Sequence, residues 1–291
     1  MTTIKKMKTA LNYINKNTHD NLNHVYCDGD KLHTYDLETS VTVLNSFGLD
    51  KGSYKLKTIE HGLKSDKDLY HFSPAPSLAT CKTTLNVSDL EDILQHASKD
   101  CTRLYLNGVY FHDNVAVATD GHTLKRIELN GNLESGYILP STSIKTLLKL
   151  CKAFKVSEIT IGFNDDFASV ECSDFRLSSR LIQREYPRYQ NAIPSKFETT
   201  LKIDVTFKDY KSLEGRAIIE VSNGEVMLKF SKSTEFVKII GKCDVLTELR
   251  VSFDIDYLIR AQRKDREIEI KINNDMSPCE INGAIVMPVR L

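Results

Sequence analysis

The sequence predicts an α+β protein built from repeated units, each a helix packed on antiparallel strands. Three observations carry that expectation. Apolar residues recur at helical spacing in several separated segments, and alternating or β-branched runs between them read as strands. Tight-turn dipeptides, Asp28-Gly29, Asp113-Asn114 and Asn223-Gly224, fall between the first strands of the units. A helix followed by strands recurs about five times, and such internal repetition decides the architecture before any single element does. Two helix-plus-strand units make one domain. The expected division is a truncated N-terminal domain at 1–79, a central domain at 80–196 and a C-terminal domain at 197–291.

In chain order, Ile4, Met7, Leu11 and Ile14 sit at helical spacing with Lys5, Lys6 and Lys8 off that face, which predicts a basic amphipathic helix. His24 to Asp28, a Gly29-Asp30 turn and alternation through Val41 and Leu44 predict a short antiparallel meander. Pro74-Ala75-Pro76 reads as a linker. Ser88-Asp89-Leu90-Glu91 has the form of a capping box, and Val87, Leu90, Ile93, Leu94 and Ala97 form one apolar stripe. Strands are expected at Leu104 to Phe111, Asn114 to Thr119 and Leu124 to Leu129. Pro140 and Ser141 open a helix with Ile144, Leu147, Leu148 and Cys151 on one face and Lys145, Lys149 and Lys152 on another. Strands then fit Glu158 to Phe163, Ala168 to Cys172 and Arg176 to Ile182.

The last third repeats the arrangement. Phe207, Tyr210 and Leu213 mark a short helix; Ala217 to Val221 and Val226 to Phe230 flank Asn223-Gly224; Glu235 to Gly241 continues the sheet. A further helix turns Ile255, Leu258 and Ile259 inward and Arg260, Arg263 and Lys264 outward, and strands at Ile268 to Ile272 and Ala284 to Val289 follow.

Composition narrows the classes. The 291 residues suffice for two or three domains, 41% are hydrophobic, and no apolar run is long enough to span a bilayer. The N-terminal segment lacks the apolar block and cleavage site of a signal peptide, so a cytoplasmic protein is expected. Seven cysteines without a C-x-x-C pair argue against a disulfide framework or structural zinc; Cys27, Cys101, Cys151 and Cys243 read as small buried thiols. Lys plus Arg equals Asp plus Glu at 39 each, so a nucleic-acid role would have to come from the placement of charge. Helices with Lys or Arg opposite an apolar stripe are ordinarily just solvated faces. Several of them lining one concave surface would attract phosphate without sequence preference. Zinc-finger spacing, ribonucleoprotein aromatics and zipper heptads are all missing, which argues against base readout.

The most informative stretch is Ala116 to Leu129, where an alternating strand enters Thr119-Asp120-Gly121-His122 and leaves through Leu124. A tight turn with Gly121 at positive φ accounts for the Asp-Gly pair without any function. Two further landmarks follow it: Tyr186-Pro187-Arg188-Tyr189 leading to Ile193-Pro194, and the terminal Val286-Met287-Pro288-Val289-Arg290-Leu291. Together these resemble the bacterial DNA polymerase III β sliding clamp family, convincingly from about Lys82 onward and in outline before it.

The resemblance implies a DNA clamp fold, with helices lining a ring around double-stranded DNA, sheets outside, and a homodimer of three-domain subunits. It implies a non-enzymatic processivity factor without a cofactor, whose partners are DNA polymerase, a clamp loader and other replication or repair proteins. By motif, the peptide-docking pocket would use Leu106, Thr119, Gly121, His122, Leu124, Pro187, Ala192, Ile285 and Met287, with Arg290 and Leu291 at its edge. DNA-facing residues would be Lys5, Lys8, Arg103, Tyr105, Lys145, Lys149, Lys152, Lys208, Lys211, Arg260, Arg263 and Lys264. Four departures stand out: Thr123 where the family usually has Arg, Ala192 in place of a larger Val, a first domain short of one unit, and a shortened helix at Thr206 to Gly215. A shortened, divergent clamp of this kind fits a bacteriophage acting in an infected bacterial cell.

Two rival functions are open to the same residues. A metal-dependent nuclease would have to gather Asp113, Asp120, His122, Asp165 and Asp166, most of which read as turn residues. A clamp-derived module that no longer encircles DNA would keep the docking pocket and regulate replication or transcription.

Overall fold

The computed structural model describes residues 11, 24–61, 64, 79–243, 248–263 and 265–290. The expected N-terminal helix with Lys5 and Lys8, the Pro74 linker, Lys264 and Leu291 lie outside them. Leu11 is helical and fully buried. The chain divides into two compact units, Met1–Ala116 with Ile127–Glu185, and Val117–Arg126 with Tyr186–Leu291.

In the first unit the strands are β1 (His24–Cys27), β2 (Lys31–Tyr35), β3 (Thr39–Leu44), β4 (Gly52–Lys55), β5 (Cys81–Asn86), β8 (Glu158–Phe163), β9 (Phe167–Glu171) and β10 (Phe175–Arg180), with most of β6 (Gly108–Thr119) and β7 (Thr123–Pro140). Pairing is antiparallel in the order β4-β1-β2-β3-β10-β9-β8-β5-β7. The β3–β10 ladder, from Val43 opposite Phe175 to Thr39 opposite Ser179, joins strands that the sequence assigns to separate domains. Its residues alternate poorly because five of the six in β3 are buried, as in a strand covered on both faces. A buried hydroxyl chain, Thr39 to Ser143 to Ser179 at 2.7 Å per link, closes the join.

Two helices pack together in this unit, α1 (Val87–Leu94) and α2 (Ser141–Phe154). The apolar stripe of α1 is as expected, with Leu90 and Ile93 buried, but the capping box is not formed. Asn86 occupies the N-cap without a side-chain cap bond, so Ser88 lies inside the first turn, two positions too late to cap it. In α2, Ile144, Leu147, Leu150 and Cys151 are buried, and Leu150 replaces Leu148 as the inward residue. The expected strand start at Leu104 is instead a 3-10 turn, Leu104–Leu106, and β6 begins at Gly108. A Cβ at Gly108 would overlap the Leu139 carbonyl, so only glycine admits that approach.

The second unit holds β11 (Thr199–Asp204), β12 (Ala217–Ser222), β13 (Glu225–Phe230), β14 (Ser233–Lys242), β15 (Leu249–Phe253), β16 (Glu267–Ile272), β17 (Cys279–Ile281) and β18 (Ala284–Val286), with one helix, α3 (Ile255–Gln262). The order β15-β12-β13-β14-β11-β16-β17-β18 is antiparallel throughout and ends on Thr123–Lys125 of β7. The core gathers Phe207, Ile219, Leu228, Phe253, Leu258 and Ile270, all fully buried. Asn223 and Gly224, with φ of 52° and 79°, make the expected tight turn between β12 and β13. Phe207–Tyr210 is a 3-10 turn rather than an α-helix.

All seven cysteines are free thiols. Burial pushes Cys151 and Cys279 up to about 12, away from the reactive thiolate. Cys101, expected to be buried, is exposed.

Candidate functional site

The Thr119-Asp120-Gly121-His122 turn is held by its own side chains. Thr119 Oγ1 accepts the Gly121 N–H at 3.0 Å and donates to the Thr123 carbonyl at 2.8 Å. Asp120 Oδ1 accepts the N–H groups of His122 and Thr123 at 2.9 and 2.8 Å, and Gly121 adopts the positive φ of 92° that the turn needs. The short polar side chains thus fix a rigid corner, with His122 exposed at its tip.

The strand leaving the corner runs antiparallel to β18, with Leu124 opposite Ile285 and Thr123 opposite Val286. Leu124 and Ile285 are both nearly buried. Beyond β18 the Met287 N–H donates to the His122 carbonyl at 2.8 Å. Pro288 has no N–H to continue a ladder, and the Val289 N–H turns to the Ser252 carbonyl at 2.8 Å. Met287 stays half-buried and Arg290 exposed. β18 itself is aimed by the Asn282-Gly283 turn after β17, with φ of 48° and 72°. Lys125, nearly buried, donates from Nζ to the Asn282 carbonyl at 2.6 Å.

Beside the corner, the His122 ring stacks on Tyr257 of α3 with centroids 5.3 Å apart. Arg260, one helical turn on, places Cζ 5.1 Å from the Tyr257 centroid, and its Nη1 lies 2.7 Å from Asp120 Oδ2. Burial by itself would raise the Asp120 carboxyl. The Arg260 hydrogen bond, the N–H groups of Thr123 and His122, and the Arg260 charge outweigh that and hold it below the ordinary carboxylate range. A carboxyl lowered on folding contributes stability that is present above its unfolded pKa and lost as pH falls through the folded one. Asp120→Asn should therefore be less stable than the parent at neutral pH. The gap in melting temperature should narrow as pH drops below the ordinary carboxylate range; a constant gap down to strong acid would refute the assignment.

The structure thus brings Thr119, Gly121, His122 and Leu124 together with Ile285 and Met287 in one unit. Pro187 and Ala192 belong to that unit, exposed on a segment anchored by the buried Tyr186 and Tyr189, whose rings meet edge to face. Leu106 belongs to the other unit, where it is buried. Tyr257 and Ser252 escaped the sequence reading, as did the Asn282-Gly283 turn, although an Asn-Gly pair between Ile281 and Ala284 is a recognisable hairpin signal.

The basic residues divide. Lys145, Lys149 and Lys152 are exposed on α2, opposite its apolar stripe. Lys208 is exposed, and Lys211, also exposed, pairs with Asp256 at 2.7 Å. Arg263 is exposed at the C-cap of α3 with a φ of 61°. Arg260 is not turned outward as expected: its side chain is 23% exposed, because Asp120 and the Tyr257 ring draw it inward. Arg103 pairs with Asp100, whose carboxyl is drawn down to about 2 by the Thr102 hydroxyl and N–H and by Arg103 itself. The outward residues of α1 include Asp89 and Glu91 and no Lys or Arg, so a basic face does not recur on every helix. Tyr105 is half-exposed.

The imagined nuclease ligands do not converge. Asp120 is committed to Arg260 and Asp113 pairs with His112 at 3.1 Å. Among the described residues no group of three or more His, Cys, Asp and Glu could hold a metal ion.

Residues 87–188 match the family model for the central domain of the DNA polymerase III β subunit. The β sliding clamp of Chlamydia pneumoniae is 24% identical over 240 residues, covering 72% of this chain and 64% of that protein. The chain thus spans just under two thirds of the length of the curated relative. Among solved structures, the DNA polymerase III β chain of Streptococcus pneumoniae superposes with a TM-score of 0.80 at 18% identity, over 99% of this chain and 98% of that one. The Helicobacter pylori β clamp bound to a DNA ligase peptide gives 0.77 at 16%, with coverage of 99% and 98%. At these identities the solved structures establish the sliding-clamp fold, and within it residues 87–188 match the central domain of the DNA polymerase III β-subunit family.

Proposed function

We propose that the protein is a DNA polymerase processivity factor: a non-enzymatic clamp of three domains, 1–79, 80–196 and 197–291, that closes as a homodimer around duplex DNA. It tethers polymerase, clamp loader and other replication or repair proteins through a docking cleft for short hydrophobic peptides. The observation that carries this reading is the pairing of the Thr123–Lys125 strand with β18, which sets Met287 against the His122 corner. Apolar groups framed by a few oriented polar ones are how short peptides are anchored. The peptide named with the Helicobacter pylori clamp supports docking as a use of this family's fold.

Closure needs a second copy. Among the described residues β14 pairs with β13 and, at Gly241 and Lys242 only, with β11. Ahead of that point Val237 and Ile239 are 52% and 56% exposed. An open edge with apolar side chains invites strand addition. Light scattering over a dilution series should report a dimer at micromolar concentration, and Val237→Glu with Ile239→Glu should give a monomer of unchanged fold. A parent protein that stays monomeric would favour a non-encircling interaction module, a reading supported by the acidic residues on α1, which would repel phosphate.

A further inference from the structure

Arg260 joins two features of the corner that no strand pairing connects. Its Nη1 lies 2.7 Å from the part-buried Asp120 carboxylate and its Cζ sits over the Tyr257 ring, whose plane in turn lies 27° from that of the His122 imidazole. The order is Asp120, Arg260, Tyr257, His122, and it returns through the backbone to Asp120. The turn needs none of this to form, because Thr119 and Asp120 Oδ1 already bind its N–H groups. Nor does the join to β18, which rests on strand pairing and on the Lys125 contact with Asn282. What the ladder adds is orientation of two side chains at the polar end of the cleft. Arginine suits that task, since its planar guanidinium can lie over an aromatic ring while its N–H groups hold a carboxylate; a lysine ammonium is a compact point charge without that plane.

We propose that Arg260 is a positioning residue of the docking cleft: anchored by Asp120, it holds Tyr257 flat against His122 and so orders this end of the cleft before a peptide arrives. This rests on the peptide-docking reading above. Side chains ordered in advance spare the complex their loss of rotamer freedom, and for two of them the gain is about tenfold in affinity.

The test is Arg260→Lys, which keeps the charge beside Asp120 and loses the planar guanidinium over the Tyr257 ring. In the free protein, NMR of the His122 imidazole C–H groups should show the ring-current displacement of a stacked neighbour in the parent. In Arg260→Lys it should move toward the position of an unstacked imidazole while the melting temperature stays close to the parent's. Calorimetry with a short Gln- and Leu-containing peptide should show about tenfold weaker binding. Met287→Ala, by contrast, should weaken binding without moving the His122 signals. Should Arg260→Lys fail to fold, Asp120→Asn combined with Arg260→Gln removes both charges together and serves the same comparison. An unmoved His122 signal overturns the proposal, and so does a moved signal with unchanged peptide affinity. If the parent itself does not bind peptide, the docking reading fails, while the His122 signals still decide whether Arg260 orders the corner.

Discussion

Protein placed on a nicked circular duplex by a clamp loader should remain through a moderate salt wash and run off once the circle is cut. The expected contrast is near total, because two different forces are being separated. Lys145, Lys149 and Lys152 stand exposed on α2 opposite Ile144, Leu147 and Leu150, whose burial fixes the direction in which the lysines project. Lysines facing phosphates across water attract them weakly, and salt screens that attraction within about 8 Å at physiological strength. Affinity of that kind would be lost in the wash whether or not the circle is closed. A ring held by subunit interfaces is lost only through an opened interface or a free end. Reversing the charge of the three lysines should flatten the salt dependence of loading by about 0.9 in the logarithmic slope for each phosphate contact removed, with dimerisation unaffected. Equal loss before and after cutting would eliminate encirclement.

Met287→Ala should weaken peptide binding by about 2 kcal/mol or more, at least roughly thirtyfold, with the fold intact. The Met287 backbone is held independently of its side chain by the His122 carbonyl, and the flanking Val286 is fully buried in the β17–β18 hairpin. Truncation therefore removes a half-exposed, adaptable apolar group and leaves its frame standing. Removing Arg290 and Leu291 should act in the same direction. Calorimetry with the Gln- and Leu-containing peptide measures the loss, and thermal melting checks the frame. Variants that bind as tightly as the parent would place the cleft elsewhere.

The fold class and most strands were legible because burial imposes periodicity: Glu158–Phe163 is the expected strand to the residue, and the faces of α2 separate as their spacing implies. Local turn chemistry was legible for the same kind of reason, as at Gly121 and Asn223-Gly224. The failures lie where a residue answers to something distant. Ser88 matched a capping pattern, but the strand before it ends at Asn86 and sets the helix start there. Arg260 matched an outward position on its helix, but Asp120, 140 residues earlier, draws it in. Spacing within a segment carries no information about a partner so far away. Thr119, Asp120 and Gly121 were legible as a corner because their side chains and backbone build the turn itself, whereas Tyr257 belongs to no such local motif.

The ladder between β3 and β10 also bears on how the protein is made. Thr39–Leu44 pairs along one edge with β2, but its other edge is covered by Phe175–Arg180, so the emerging chain must grow by more than a hundred residues before that edge is paired. At about 5–20 residues per second on the ribosome, the delay is roughly 7–27 seconds. Throughout it a strand with the sequence Thr-Ser-Val-Thr-Val-Leu, uncharged and rich in β-branched residues, waits with one row of backbone groups unpaired. The same join that makes one continuous sheet of the finished first unit thus leaves the half-built chain with an uncovered strand edge, the kind that pairs with other chains, for as long as translation takes to run from β3 to β10.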